Sequence, residues 1–183
     1  MSDTVRTKKM TSDEFLEWAM AQPKRYELEG GDVIAMVPER TSHTNTKYLI
    51  TRRLDDAITE ASLPCEAYVD GVSVEIDKAT VYEPDAVVRC GPPLEGDPVK
   101  ISDPLIVVEV VSPGSRNRDS GEKLEGYFRV PTLRHYLIIE IRHRSVIHHR
   151  RDQDGVITTQ IARDGVITLD PPGILLREFF PSP

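Results

Sequence analysis

The sequence predicts an α/β fold built on a mixed sheet, and three observations carry the prediction. Val81–Val88, Leu105–Val111 and His135–Ile141 are dense in β-branched and apolar residues, which suit a pleated, buried surface. A helical stretch, Asp119–Arg129, falls between the second and third of these runs, where a parallel pair of strands needs a crossover. Two Asp-Gly turns, Asp154-Gly155 and Asp164-Gly165, join short strand-like runs near the C-terminus into an antiparallel meander.

Taken in order, residues 1–10 are polar and form a flexible leader to a single domain over 11–183. Thr11 and Glu14 have capping-box spacing, and the helix they open carries Phe15, Leu16, Trp18 and Ala19 and stops before Pro23. Arg25–Glu29 and Asp32–Val37 are hairpin strands turning at Gly30-Gly31. Pro38–Asn45 reads as a loop. The next helix covers roughly Thr44–Ala61, with Leu49, Ile50, Leu54 and Ile58 on one face, and Pro64 closes it. Glu66–Ile76 contains a strand interrupted at Asp70-Gly71. In Val81–Val88, Pro84 has no N–H for a ladder, so its position calls for an edge, a bulge or a kink. Gly91–Pro104 is a loop, and Ser112-Pro113-Gly114-Ser115 breaks the most apolar strand. Val146–Arg151, Val156–Ala162 and Val166–Leu169 make up the meander. Asp-Gly-Val-Ile-Thr occurs twice, which is repeated turn chemistry and not a repeat architecture.

The length of 183 residues is enough to bury a core without staples. No apolar run approaches a membrane span, and Met1–Thr7 lacks a signal-peptide core, so a cytoplasmic protein is expected. A net charge of −7 argues against a non-specific coat on nucleic acid, although Arg116-Asn117-Arg118 and Arg142-His143-Arg144 are locally basic. Cys65 and Cys90 show neither zinc spacing nor a disulfide framework and are expected as free thiols.

Asp85 leads one apolar run and Glu109 sits inside the next. A carboxylate leaves water at high cost unless it is paired or coordinates a metal. Adjacent strands lie about 4.8 Å apart, so carboxylates at facing positions can share one hard cation. Mg²⁺ or Mn²⁺ fits such oxygen donors and lowers the pKa of a bound water. Lys123 can stabilise developing negative charge if its helix packs beside the Glu109 strand, and Tyr127 lies one turn further on the same face. Glu27 alternates with Tyr26 and Leu28, so it faces either the site or solvent. His43 stands at a helix start, where it either contacts phosphate or a metal-bound water or serves as a polar loop residue. His148 and His149 point to opposite faces of a strand and cannot jointly chelate, while His135 and His143 show no partner spacing. There is no Gly-x-Ser-x-Gly elbow.

Tyr26-Glu27-Leu28 with Gly31-Asp32-Val33, Ser42-His43, Pro84-Asp85, Val108-Glu109-Val110-Val111-Ser112-Pro113, and then Asp119, Lys123 and Tyr127 follow one another as in a known family. The chain resembles the Uma family of restriction-endonuclease-like proteins, within the PD-(D/E)XK nuclease superfamily. The resemblance implies a restriction-endonuclease-like mixed sheet flanked by helices and a magnesium-dependent endonuclease acting on DNA. It implies Asp85 and Glu109 as metal ligands, with Glu27, His43 and Tyr127 in support, and a homodimer. The superfamily places its lysine two residues after the second acid, where this chain has Val111; Lys123 matches the migrated lysine of the Uma pattern. The competing expectation is a catalytically inactive nuclease fold that serves as a binding or assembly module.

Overall fold

The computed structural model describes residues 4–5, 8–111 and 121–180. Among these, two six-stranded sheets and a two-stranded one are braced by helices. Ser112-Pro113-Gly114-Ser115, Arg116-Asn117-Arg118 and Asp119 lie outside the described residues.

The first sheet runs β1-β3-β2-β6-β5-β8, from Thr4–Val5 (β1), Tyr26–Glu29 (β2), Asp32–Ala35 (β3), Ser73–Asp77 (β5), Thr80–Tyr82 (β6) and Lys100–Ile101 (β8). Helix α1, Ser12–Met20, opens on the Thr11–Glu14 capping box and packs Phe15 and Leu16 against Leu28, Val33 and Val81. Within the leader, Thr4–Val5 pair with β3 and Met10 N–H bonds to the Gly31 carbonyl, so these residues are tied to the sheet.

The second sheet runs β12-β11-β10-β9-β7-β4, from Cys65–Val69 (β4), Ala86–Cys90 (β7), Ile106–Val111 (β9), His135–Glu140 (β10), Ser145–Arg151 (β11) and Ile157–Ala162 (β12). β9 and β10 pair in parallel, and the connection between them carries α3, Glu122–Tyr127. Every residue of β9 and β10 is buried, which explains their unbroken apolar character. On one face of this sheet Ala86, Val88, Ile106, Val108, Leu137 and Ile139 meet Ile50, Leu54 and Ile58 of α2, Thr41–Glu60. On the other face Val87, Val107, Tyr136 and Ile138 meet Tyr127 together with Val74, Tyr82 and Ile101 from the first sheet.

Several expectations are corrected. Val81–Val88 is two strands: β6 joins the first sheet and β7 the second, because Glu83-Pro84-Asp85 turns the chain out of one ladder into the other. Glu66–Ile76 breaks at Asp70-Gly71 as expected, where Gly71 takes φ +96°, but its two halves, β4 and β5, likewise join different sheets. These two crossings lie side by side, with Asp70 N–H donating to the Asp85 carbonyl at 3.0 Å. Helix α2 begins at Thr41, so His43 sits in its first turn and not in a loop.

The meander stops after β11–β12. Val166–Leu169 (β13) instead pairs with Ile174–Arg177 (β14), and Ile174, Leu176, Phe179 and Phe180 are buried against α2 and the second sheet. Cys65 and Cys90 face each other across the β4–β7 register and form a disulfide. A spacing of 25 residues gave no sign of this, because only strand pairing brings the two together. Among the described residues, no helix is long and apolar enough to cross a membrane.

His135 also has a partner after all. Its Nε2 lies 2.8 Å from the Pro171 carbonyl and its Nδ1 2.9 Å from His148 Nε2. For the carbonyl to accept, Nε2 must carry the hydrogen, so Nδ1 accepts from His148. Burial lowers both rings from the usual 6.5 to about 4, His148 being lowered further by its neighbour His135. The unfolded chain therefore binds more protons between about pH 6.5 and 4, and stability falls as pH drops through that window. By about pH 5 the expected loss relative to neutral pH is roughly 2 kcal/mol per ring. Urea unfolding near pH 7 and pH 5 measures it. His148→Gln keeps a donor to His135 and should flatten the dependence; an unchanged slope would remove the pair as its cause.

Candidate functional site

The site grows from the seam where the chain crosses between sheets. β7 pairs with β9 over Ile106–Val108, so β9 runs on past the start of β7. Val110 N–H has no strand partner on that side, and Asp85 Oδ2 accepts it at 2.6 Å. The Asp85 carboxylate also meets α2, with Oδ2 3.2 Å from His43 Nε2 and Oδ1 3.2 Å from Lys47 Nζ. Burial pushes Asp85 up, but the His43 bond and charge, the Lys47 charge and the Val110 N–H outweigh it and hold the carboxyl below the ordinary aspartate range. Burial likewise pushes Lys47 down, and the Asp85, Glu39 and Asp70 carboxylates outweigh it, so the ammonium titrates above the ordinary lysine range.

Glu109 lies in the middle of β9. Its Oε1 accepts from Lys123 Nζ at 2.8 Å and from the Tyr127 hydroxyl at 2.7 Å. Lys123 and Tyr127 stand four residues apart on α3, on the face the helix turns inward, while Glu122 and Glu125 are exposed. Lys123 is 5% exposed, and its Nζ also pairs with Glu27 Oε1 at 2.9 Å. Glu27 faces inward, and Glu83 N–H donates to the same oxygen at 3.0 Å. Burial, reinforced by the Glu109 charge, raises the Tyr127 phenol well above its usual range, so it stays a neutral donor. Gly126 lets the Tyr82 ring lie against α3, since a Cβ there would come within 2.7 Å of that ring.

The predicted residues thus form two neighbouring groups. Glu27, Glu109, Lys123 and Tyr127 meet on the α3 side, and His43 and Asp85 meet on the α2 side. β9 links them, because Asp85 grips the backbone of the residue next to Glu109. Glu39, His43 and Asp85 each offer a ligand atom, all within 4.8 Å of one another. Sequence reasoning missed Glu39, Asp70 and Lys47. For Lys47 a signal existed: it shares the helical spacing of Ile50, Leu54 and Ile58, where a solvated lysine would be out of place. Arg142, His143 and Arg144 are exposed in the turn between β10 and β11.

A family model described as Uma2, "Putative restriction endonuclease", matches residues 12–178. An uncharacterized protein of Synechocystis sp., slr1290, is 26% identical over 152 residues, which is 80% of this chain and 77% of its own length. A second from that organism, sll1609, is 23% identical over 166 residues, 88% of this chain and 93% of its own. The crystal structure of a "putative nuclease belonging to DUF820" from Anabaena variabilis superposes with a TM-score of 0.69 at 16% identity, covering 88% of this chain and 90% of that one. At that identity the likeness is one of fold.

Proposed function

This chain belongs to the Uma2 family, and from that premise we propose that it is a divalent-metal-dependent endonuclease that hydrolyses DNA phosphodiester bonds. The observation that carries the reading is the pair of buried carboxylates, Asp85 in the turn that enters β7 and Glu109 on the adjoining β9, with buried Lys123 bonded to Glu109. The two buried carboxylates offer oxygen donors, which suit a hard cation such as Mg²⁺ or Mn²⁺. Asp85 and Glu109 would hold that ion, which when bound supplies an activated water and offsets charge on the phosphoryl group.

The chain's own residues account for the rest. Lys123 keeps a positive charge beside Glu109, where negative charge develops as phosphate is attacked. Tyr127 and Lys123 together fix the Glu109 carboxylate, and Glu27 fixes Lys123. His43 orients Asp85 from the α2 side, and in this reading it contacts a phosphate oxygen. A cytoplasmic homodimer, with each copy cutting one strand, belongs to the same proposal. The family resemblance supports it; Ile174, Leu176, Phe179 and Phe180 of the C-terminal segment are buried on their own chain.

Plasmid nicking tests the reading. Supercoiled DNA should open with Mg²⁺ or Mn²⁺, and a chelator should stop it. DNA retained without any cut would favour the non-catalytic binding module.

A further inference from the structure

Lys47 stands on the buried stripe of α2, in line with Ile50, Leu54, Ala57 and Ile58, and is 2% exposed. Burying an ammonium costs several kcal/mol unless its surroundings compensate. Here they do. Three carboxylates surround the ammonium: it donates to Glu39 at 2.6 Å and pairs as an ion with Asp70 at 3.0 Å and Asp85 at 3.2 Å. The three acids come from separate places, the loop after β3 and the two crossings between sheets. They converge on a point rather than lying along a surface.

Two of those acids, Glu39 and Asp85, also belong with His43 to the set of ligand atoms lying within 4.8 Å of one another. Convergent oxygens with one imidazole are what a hard divalent ion uses, and at this point the chain supplies a compact, lysine-borne charge. We propose that Lys47 is a permanent internal cation: it stands where a second divalent ion would otherwise bind beside Asp85, so the site takes one exchangeable metal. The inference rests on the metal-dependent reading of Asp85 and Glu109. Lys47 is a positioning residue, because its ammonium is paired with carboxylates and it acts on the reaction through Asp85.

The experiment counts Mn²⁺ by calorimetry and by electron paramagnetic resonance in the parent, Lys47→Met and Lys47→Arg. Methionine suits the apolar stripe and removes the charge; arginine keeps the charge. Lys47→Met should bind one more Mn²⁺ per chain than the parent, and Lys47→Arg should keep the parental count. If Lys47→Met is unfolded in chelator, Mn²⁺ should fold it, as circular dichroism would report. A folded Lys47→Met that gains no Mn²⁺, an unfolded one that Mn²⁺ does not recover, or a parent that already binds two ions overturns the proposal. A parent that binds none sinks the nuclease reading, while the difference between parent and Lys47→Met still decides the role of Lys47.

Discussion

Glu109→Gln is expected to abolish metal-dependent nicking, with Asp85→Asn close behind, each by a factor of at least about a thousand. Both changes remove a charge and keep the side chain's shape. The glutamine would still offer an oxygen to Lys123 and Tyr127; the asparagine would keep an oxygen on Val110 N–H and turn its NH₂ toward Lys47, whose ammonium retains Glu39 and Asp70. Folding should therefore survive well enough for the loss to be read as chemistry, and circular dichroism checks that. Calorimetry with Mn²⁺ should show weakened binding in the same variants, since each has given up a charged oxygen donor. Variants that cut as fast as the parent would trace the activity to a contaminating nuclease and hand the protein to the non-catalytic reading.

The largest loss of stability is expected from Lys123→Met, about 3–5 kcal/mol. Lys123 is buried between Glu27 and Glu109, at 2.9 and 2.8 Å. Without its ammonium two buried carboxylates face each other, and like charges at that range favour protonating one of them. The loss should accordingly be greatest at neutral pH and shrink in mild acid, where that proton is available. Added Mn²⁺ should still bind and restore part of the stability, while nicking stays slow because the lysine's charge is missing from the transition state. Urea unfolding of parent and variant at two pH values, with and without Mn²⁺, measures each part. A variant within about 1 kcal/mol of the parent would mean that Lys123 carries no such burden.

What the sequence determined by itself was decided by neighbours along the chain. The Thr11–Glu14 box starts α1 because a hydroxyl and a carboxylate three residues apart satisfy each other's backbone. Leu105–Val111 reads as a buried strand because no alternation leaves it a wet face, and β9 is buried throughout. Lys123 and Tyr127 share a face of α3 through helical period alone, and both reach Glu109. The candidate site was legible to that extent, as two acids in apolar runs and a lysine one helix later.

The tertiary structure decided which ladder each strand joined. Pro84 and Gly71 mark breaks, but nothing local says that the chain changes sheets there, since any open edge can accept a strand. The remaining surprises follow from those crossings and from strand register. Register sets Cys65 opposite Cys90, and the β10–β11 pairing brings His135 to His148. The adjoining crossings bring Asp70 and Asp85 together around Lys47. Contacts between residues far apart in the chain depend on the whole fold's balance of burial against chain entropy, and a local pattern carries no record of that balance.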